Sequence, residues 1–550
     1  MRVEEVPFLI VGAGPTGLTL ARLLAALGRT ALIVERRAGA QTHPSAHVVN
    51  ARSLEIFRQA GFDGDAIVEI AADPADAGHV NFVTRLQGEL IGRLPFERQG
   101  PEVFEVTPTP LRNISQHRLE PILAAGVVSA GVDLRYGVQW ESSRQDEHGV
   151  TSVLTQVATG ETFEVRSDWL LAADGAGSRI RKSLGIDMIG PASLETYMAI
   201  HFRADLREAV HARPGVLHFV MDPEVRGVLI AHDVASEWVY MTGYDATRES
   251  ESDFDESRCR DMIRAAVGDL SIEVEVVGAG AWNMSAQVAE RMRDRRTFLL
   301  GDAAHRFPPT GGLGLNSGVG DAHNLAWKLG AIADGWAAES VLDTYEVERR
   351  PIAEANNQQS LMNAVKIVLI GEALGLTESS TGDDVLRALT DPARRDAIDA
   401  AVAEQQTHFD MIGLQLGYRY AEGALASPGE PIGEVDPRHF DPRGTVGERL
   451  PHAWLEDGRS TLDLIPFAGM TLISVGAHDA WAVEATLVDQ LGHVALGPDM
   501  MANADWHVAV GLGDSGALLV RPDQHIAWRS DEPTPLADVV SACVRRTPRR

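Results

Sequence analysis

The sequence predicts an α/β chain in which a parallel sheet comes first, an antiparallel sheet is inserted into it, and a smaller α/β unit follows. Three observations support this prediction. A strand–turn–helix–strand pattern lies at residues 7–37, two later apolar runs each end at an aspartate, and strand-like segments fill the interval between those aspartates. A chain of 550 residues is also long enough for about two to four domains.

Charge and cysteine content exclude several classes of function. The 49 basic and 78 acidic residues give a formal net charge of −29, which repels phosphate backbones and anionic membranes. Only Cys259 and Cys543 occur, so we exclude a disulfide framework and expect a cytoplasmic protein without a metal. The acidic N-terminus does not resemble a signal peptide, and no apolar stretch is long enough to span a membrane.

The first motif is a phosphate cradle near the N-terminus. The run FLIV predicts a buried strand, GAGPTG places Gly12, Gly14 and Gly17 in the G-x-G-x-x-G spacing, and LTLARLLAAL predicts a helix that ends at Gly28. In a Rossmann-type unit the first glycine makes the turn, the second admits a pyrophosphate, and the third lets the helix pack on the strand. A second strand ends at Glu35, whose carboxylate suits an adenosine ribose and repels a 2′-phosphate. We therefore expect FAD or NAD here rather than NADP.

Two further motifs place carboxylates at the ends of buried strands. WLLAA leads to Asp174-Gly175, and TFLL leads to Gly301-Asp302. Ligands of α/β sheets bind beyond the carboxyl ends of the strands, so both aspartates are candidate ligand contacts. After Asp302, the run PPTGGLGLNSG predicts a flexible loop whose backbone amides form a second cradle ahead of a helix at DAHNLAWKLGAIADG.

The interval between these aspartates predicts the inserted sheet. TYMAIHFRADL, GVLHFVMDP, RGVLIAHDV and EWVYMTGYD alternate in polarity and are rich in β-branched or aromatic residues, and the segment 79–97 adds candidate strands. A sheet that faces the ligand would form the wall of a substrate pocket. The candidate wall residues, for each of which core packing is the alternative, are Phe202, His218, Phe219, Met221, Trp238 and Tyr240.

Taken together, the three ordered motifs resemble the fingerprints of flavin-dependent aromatic hydroxylases, the single-component monooxygenases similar to p-hydroxybenzoate hydroxylase and phenol hydroxylase. GDAAHRFPPTGGLGLN and AHVVNARSLEIF resemble the phenol and chlorophenol hydroxylase branch in particular. The resemblance implies bound FAD, NADPH or NADH as a transient co-substrate, and O2. It also implies hydroxylation of an aromatic, above all a phenolic, small molecule through a C4a-hydroperoxyflavin.

The resemblance also implies a role for individual residues of the cofactor site. The pyrophosphate would lie at the first motif, the adenosine ribose at the end of the second strand, the ribityl chain at the third motif, and the isoalloxazine over the glycine-rich run. Gln116 would contact the flavin from a helix start, and Asp174 would bridge flavin and nicotinamide binding. The implied cofactor residues are Gly12, Ala13, Gly14, Pro15, Gly17, Glu35, Arg36, Gln116, Asp174, Asp302, Pro309, Gly312, Gly314, Leu315 and Asn316.

His47 is the candidate catalytic base. It lies five residues before Arg52, where the branch that the sequence resembles carries a histidine or an acid near the substrate. A phenol reacts best once deprotonated, and an ordinary histidine pKa of about 6.5 suits that task. A structural histidine beside a helix start is the alternative. We expect His305, inside the third motif, to be structural.

Two other functions remain open at this point. A Baeyer–Villiger oxygenase or an epoxidase acting on a polycyclic metabolite would use the same scaffold, and a non-catalytic flavin-containing binding protein would need no base at all. The chain is also a candidate homodimer.

The rest of the chain predicts helices and a separate C-terminal unit. Residues 340–374 predict long helices interrupted near Pro351, and the Pro/Gly-rich segment 427–451 predicts a linker. Short strands after residue 451 resemble the thioredoxin-like domain of phenol hydroxylase relatives, but no C-x-x-C occurs, so we expect no thiol chemistry. The predicted boundaries are 1–185 and 286–375 for the FAD-binding domain, 186–285 for the substrate sheet (which 79–111 can join), 376–450 for helices and linker, and 451–550 for the last domain.

Overall fold

The computed structural model describes residues 3–431, 435–475, 478–497, 500 and 506–545. The strands are β1 Val3–Val11, β2 Ala31–Glu35, β3 Val48–Val49, β4 His79–Val83, β5 Leu90–Pro95, β6 Arg112–Asn113, β7 Asp133–Tyr136, β8 Val138–Gln145, β9 Val150–Gln156, β10 Thr162–Ala172, β11 Met188–Ile189, β12 Glu195–Arg203, β13 Leu217–Val220, β14 Gly227–Asp233, β15 Glu237–Gly243, β16 Glu275–Met284, β17 Gln287–Ala289, β18 Arg293–Asp294, β19 Thr297–Leu299, β20 His305–Arg306, β21 Met470–Ser474, β22 Leu491–Ala495, β23 Ala517–Val520 and β24 Ile526–Ser530.

The α-helices of the same residues are α1 Pro15–Ala26, α2 Ala51–Ala60, α3 Gly64–Glu69, α4 Pro74–Ala77, α5 Gln116–Ser129, α6 Arg179–Ser183, α7 Arg207–Val210, α8 Glu256–Val267, α9 Leu313–Ala333, α10 Thr344–Leu374, α11 Gly382–Thr390, α12 Pro392–Ala403, α13 Gln406–Phe409, α14 Ile412–Leu416, α15 His478–Thr486, α16 Trp506–Ala509 and α17 Leu536–Cys543. Within the described ranges, none of them is long and apolar enough to cross a membrane.

The first sheet is parallel at its centre and carries the predicted motifs at one edge. Its order is β18-β19-β10-β1-β2-β7, and β1 pairs in parallel with both β2 and β10. The hairpin β8–β9 extends it from β10. The predicted strands FLIV, TALIVE and WLLAA are therefore confirmed as β1, β2 and the end of β10. Their carboxyl ends lie side by side, which brings the first two motifs together.

The second sheet is antiparallel apart from one pair. Its order is β16-β12-β15-β14-β13-β4-β5, and only β13 and β4 run parallel to each other. The four strand segments predicted between Asp174 and Asp302 are confirmed as β12, β13, β14 and β15. The segment 79–97 contributes β4 and β5 to the same sheet.

The two faces of this second sheet have different neighbours. The face that we call the outer face packs on α8, in a core that contains Ile200, Leu229 and Ile263. The other, the inner face, faces the first sheet and its loops: Phe219 shares a core with Val48, which belongs to β3. Because side chains alternate along a strand, each strand contributes every second residue to the inner face.

Two helix predictions are wrong in detail. Helix α9 starts at Leu313, so most of the predicted flexible loop is helical. Its glycines are needed for packing: a Cβ on Gly318 would lie 2.2 Å from Thr16 Oγ1, in helix α1. The helix α10 is not interrupted at Pro351 but continues through it. Pro351 has no backbone N–H, so the helix loses the hydrogen bond to the carbonyl of Val347, which is an exposed residue.

The C-terminal unit is a four-stranded mixed sheet with helices, as the predicted thioredoxin-like fold requires. Its order is β22-β21-β23-β24, with only β21 and β22 parallel. Buried ion pairs attach it to the rest of the chain: Arg449 Nε lies 2.8 Å from Glu55 Oε2, and Arg521 Nη1 lies 2.7 Å from Glu348 Oε1. Both cysteines are free and buried. The predicted fold class is confirmed.

Candidate active site

The three glycines of the first motif are needed for two different reasons. Gly12 adopts φ +106°, and a Cβ there would lie 2.1 Å from Ala173 O; a Cβ on Gly17 would lie 2.0 Å from Gly12 O. Both glycines are therefore required by the backbone itself. Gly14 is different, because the nearest atom to a Cβ there would be Glu120 Oε1, at 4.0 Å. Protein packing does not require a glycine at position 14, whereas close approach of a pyrophosphate does.

An acidic and basic network lies at the end of β2. Glu35 accepts hydrogen bonds from the backbone amide of Ala13 at 3.1 Å and from that of Arg37 at 2.9 Å. Burial opposes ionisation of Glu35, but the bonds from Arg37 and Ala13 outweigh it and lower the pKa of the carboxyl. Glu120 accepts from Gln116 Nε2 at 2.8 Å and from Arg37 Nη1 at 3.3 Å.

This network includes two residues that the sequence analysis missed. Arg36, which was expected beside the ribose, is exposed, while its neighbour Arg37 holds Glu35 and Glu120. A usable signal for Glu120 was present, because it lies one helical turn after Gln116 on α5. Gln116 itself lies at the first position of that helix, where the backbone amides are free to bind a ligand.

Asp174 is turned towards its own loop. Its carboxylate accepts from Ser178 Oγ at 2.6 Å and from the backbone amide of Ile180 at 3.2 Å, so it orders the start of α6. Burial raises the pKa of this carboxyl despite these bonds. Gly175, beside it, has φ +78° and no atom within 4 Å of a Cβ placed on it. The side of this turn that faces outward is thus open to a ligand.

Asp302 is exposed, whereas His305, which belongs to the same motif, is fixed in the core. The protein around Asp302 desolvates its carboxyl and raises its pKa, yet the residue is exposed, and none of the described side chains bonds to it. A Cβ on Gly314 would lie 3.9 Å from Asp302 Oδ1. His305 Nε2 instead lies 2.8 Å from Asp321 Oδ2, and Arg349 Nε donates to Asp321 Oδ1 at 2.8 Å. His305 is thus fixed inside the fold, away from any ligand.

The N-terminus of α9 forms the second cradle. Its N-cap Gly312 has φ +62°, and a Cβ there would lie 2.7 Å from Val48 Cβ. Asn316 does not face outward, because its amide donates to Val48 O at 3.0 Å and accepts from Asn50 N at 3.0 Å. Gly314 and the half-buried Leu315 lie in the first turn, and Pro309 is exposed just before it. The free amides of a first helical turn suit the polar edge of a ring system.

His47 lies between the two cradles and the second sheet. It directly precedes Val48, which Asn316 holds, and its ring makes an edge contact with that of His232 on β14 at 5.7 Å between centroids. Burial lowers the pKa of His47 to about 4, so the imidazole is neutral at physiological pH. Its Nε2 is buried and has no partner within the described ranges. The described part of the protein thus leaves this buried nitrogen without a hydrogen bond.

The structure divides the predicted wall residues between the two faces of the sheet. Phe219 and Met221 belong to the inner core, which contacts β3 and α10. Phe202, Trp238 and Tyr240 belong to the outer core on α8, and His218 makes a ring contact with Trp238 at 6.0 Å. The outer face lies away from both cradles. We therefore keep only Phe219 and Met221 as candidate substrate contacts.

A histidine cluster on the inner face was not predicted. His117 Nε2 and His201 Nε2 lie 3.2 and 3.1 Å from the two carboxylate oxygens of Glu237. The rings of His117 and His232 are 6.5 Å apart. These residues come from α5, β12, β14 and β15, so no local spacing in the sequence connects them. In the described part of the chain, no group of three or more such side chains is arranged to hold a metal ion.

Comparisons with known proteins agree with this arrangement. A family model described as "FAD binding domain" matches residues 5–360, and one described as "Aromatic-ring hydroxylase, C-terminal" matches residues 443–546. A "Putative polyketide hydroxylase" of Streptomyces halstedii is 34% identical over 97% of this chain and 95% of that protein. The "2,4-dichlorophenol 6-monooxygenase" of Delftia acidovorans is 31% identical over 96% of this chain and 95% of that protein.

A solved structure of a related protein matches this chain over nearly its whole length. The crystal structure of the flavin-dependent monooxygenase PieE, in complex with FAD and substrate, superposes with a TM-score of 0.91 at 33% identity and covers 99% of both chains. The open space at Gly14, the exposed Asp302 and the N-terminus of α9 fit FAD. The chain therefore belongs to the family of single-component, FAD-dependent aromatic hydroxylases and is a monooxygenase that acts on an aromatic substrate.

Proposed function

We propose that this monooxygenase hydroxylates a phenolic ring of a flat polycyclic metabolite held between the N-terminus of α9 and the inner face of the second sheet. We assign the role of base to His47. The observation that carries the proposal is the position of His47, which joins the cradle through Val48 and meets the sheet at His232.

Small residues on the inner face favour a large, flat substrate. Ala199 pairs with Gly280, and His201 pairs with Gly278, so these four share one face of β12 and β16. A Cβ on Gly280 would have no atom within 4 Å. A flat aromatic surface borders this area, because the ring of Tyr197 stacks on that of Trp282 at 5.2 Å. A single phenol ring would leave most of this surface uncovered.

The chain would divide the binding of FAD among its three motifs. Gly14 would admit the pyrophosphate, Glu35 would face the adenosine ribose, Asp302 would accept hydrogen bonds from the ribityl chain, and the first turn of α9 would lie at the isoalloxazine. Bound FAD, reduced by a nicotinamide, supplies the activated oxygen for the reaction. The apolar core around Phe219 and Val48 keeps water away from this side of the cleft.

His47 would accept the proton of the substrate phenol. A neutral imidazole has one acceptor nitrogen, and burial lowers the pKa of His47 from the expected value of about 6.5 to about 4. His47 is therefore neutral through the physiological range, but it is a weaker base than the ordinary histidine that the sequence predicts. Removing the phenolic proton makes the ring electron-rich, which favours attack on an electrophilic oxygen. The relatives include proteins named for polyketides and for chlorophenols, so both large and small aromatic rings are known in the family.

The substitution Gly280→Val tests the substrate class. The new side chain enters the open area, so kcat/KM for a tricyclic hydroxyarene should fall by about tenfold or more, whereas kcat/KM for phenol should change little. Valine is favoured in strands, so we expect the fold to be retained. The measurement is steady-state product formation with phenol, 1-naphthol and the tricyclic compound. An equal loss for all three would argue against a polycyclic substrate.

A homodimer and a cytoplasmic location remain predictions. Two buried free cysteines are compatible with a reducing compartment. Light scattering during gel filtration would give the mass of the assembly, which is expected to be twice that of the 59.4 kDa chain if it dimerises.

A further inference from the structure

A three-residue connection between α13 and α14 contacts both sides of the proposed cleft. The ring of Phe409, at the end of α13, lies 5.9 Å from that of Phe219 on the inner face of the second sheet. Two residues later, Met411 packs against the loop ahead of α9: a Cβ on Gly311 would lie 3.0 Å from Met411 Cε. Met411 also shares a core with Leu313, the first residue of α9. This connection, the 409–411 segment, therefore joins the substrate wall to the cofactor loop.

Glu97, two residues after β5, holds both ends of the 409–411 segment. Its backbone amide donates to Phe409 O at 2.5 Å, and its Oε2 accepts from the backbone amide of Met411 at 3.0 Å. Gln415 Nε2 donates to the same carboxylate oxygen at 3.0 Å. To make these contacts Glu97 adopts φ +52°, which residues other than glycine rarely take. Strain of this kind persists where the surrounding contacts require it.

The carboxyl of Glu97 is buried without a cation to neutralise it. Burial raises the pKa of this carboxyl to about 7, and the neighbouring charge of Asp410 raises it further, although the hydrogen bonds from Met411 and Gln415 act in the opposite direction. In the described part of the chain Glu97 forms no ion pair, because Arg98, beside it, is paired with Asp410 at 3.0 Å. The neutral form is thus the one that the folded surroundings favour.

The other titratable and charged groups around Glu97 are engaged elsewhere. Asp410 is also paired with Arg438, whose Nε lies 3.3 Å from Asp410 Oδ2, so neither guanidinium is paired with Glu97. The ring of His408 stacks on that of Phe409 at 3.9 Å, and burial lowers the pKa of His408 to about 3. This imidazole is therefore neutral at pH 5 and above.

We propose that Glu97 is a positioning residue, whose neutral form keeps the 409–411 segment closed against both sides of the cleft and whose ionised form loosens it. The inference rests on the proposed place of the substrate between the second sheet and α9. One proton is exchanged with water, and no other bond is made or broken except the hydrogen bonds that hold the segment.

The direction of the pH effect follows from linkage. The stabilising effect of the neutral carboxyl is fully present below about pH 4.5, its ordinary pKa, and is lost as pH rises through about 7. Between pH 5 and 8 the ratio of closed to open segment should therefore fall by up to roughly 70-fold. An open segment admits water to the cleft, so less product should form per NADPH consumed at the higher pH.

The test compares wild-type holoenzyme with Glu97→Gln, in which the side chain keeps its size and an acceptor oxygen but cannot ionise. At pH 5 the two should have similar melting temperatures and similar deuterium uptake in the peptide that contains Met411. At pH 8 the variant should melt at a higher temperature, exchange more slowly and form more product per NADPH. Glu105→Gln changes an exposed carboxylate nearby in the chain, and this matched control should follow the wild type at each pH.

A second variant leaves Glu97 in place. Asp410→Asn removes the nearby negative charge, so the loss of melting temperature should begin at a lower pH than in the wild type. Equal pH profiles for wild type and Glu97→Gln, or an unshifted profile in Asp410→Asn, would overturn the role of Glu97. Changes in melting and exchange without a change in product per NADPH would overturn the link between this segment and the substrate. A wild-type yield in His47→Ala would contradict only the proposed base.

Discussion

Gly14→Ala should yield a folded protein that no longer retains FAD. The backbone at Gly14 has φ −79°, which alanine adopts without strain, and a Cβ there meets no protein atom closer than 4.0 Å. The methyl group would occupy the space that a pyrophosphate needs, so FAD affinity should fall by about 100-fold, or ~2.7 kcal/mol. The measurement is FAD titration of the apoprotein, followed by flavin fluorescence.

Matched variants make the Gly14 result specific. Gly371→Ala places a methyl group in α10 where no atom lies within 4 Å, so it should leave both FAD affinity and folding unchanged. Gly17→Ala forces a Cβ to 2.0 Å from Gly12 O and should disturb the fold itself. Asp302→Ala should weaken FAD binding without lowering the melting temperature of the apoprotein. Wild-type FAD affinity in Gly14→Ala would contradict the assigned position of the pyrophosphate.

His47→Ala should keep its FAD and oxidise NADPH but lose most of the hydroxylated product. General bases contribute about 100-fold or more to rate, so hydroxylation at neutral pH should drop by at least about that factor, while the reducing equivalents appear as H2O2. The measurement compares product formed, NADPH consumed and H2O2 released. His47→Asp keeps a basic group at the same place and should recover part of the yield.

The pH profile distinguishes a base from a merely structural histidine. Burial lowers the pKa of His47 to about 4. In the wild type the neutral imidazole is therefore available at neutral pH, and the base is lost only when the pH falls towards 4. Without His47, hydroxylation should depend on the phenol's own ionisation and rise with pH towards about 10. Identical profiles for wild type and His47→Ala would contradict the assignment.

The cofactor cradle could be predicted from the sequence because the residues that form it lie close together along the chain. Gly12 and Gly17 are demanded by contacts within a few residues of themselves or with the adjoining strand, and a strand that ends at Glu35 follows at once. The aspartates Asp174 and Asp302 are likewise recognisable from the apolar strands β10 and β19, which end two and three residues before them. A motif whose geometry is set by its own backbone can be recognised without knowing the rest of the fold.

The substrate wall was predicted less well, because both faces of the second sheet are buried. In β15, Trp238 and Tyr240 enter the outer core, whereas Glu237 and Val239 alternate with them on the other side. When apolar residues occur on both faces, alternation no longer shows which face meets the ligand. The predicted wall residues therefore came from both faces: Phe219 and Met221 lie in the inner core, and Phe202, Trp238 and Tyr240 lie in the outer core.

The start of α9 and the histidine cluster required the tertiary structure. Glycines at 314, 318 and 320 favour a loop locally, but contacts with Thr16 and Arg349 leave no room for a Cβ at 318 and 320, so the helix tolerates them there. His117, His201 and His232 lie in three separate segments. Only the folded chain brings His117 and His201 to one carboxylate, Glu237, and the ring of His232 beside that of His117.

Incorporation of labelled oxygen tests the central claim most directly. The holoenzyme is given NADPH, a tricyclic hydroxyarene and oxygen-18-labelled O2, and the product is identified by mass spectrometry and NMR. We predict a single labelled oxygen, present as a new hydroxyl on a carbon ortho or para to the phenol. A lactone, an epoxide or a product without label would contradict the account.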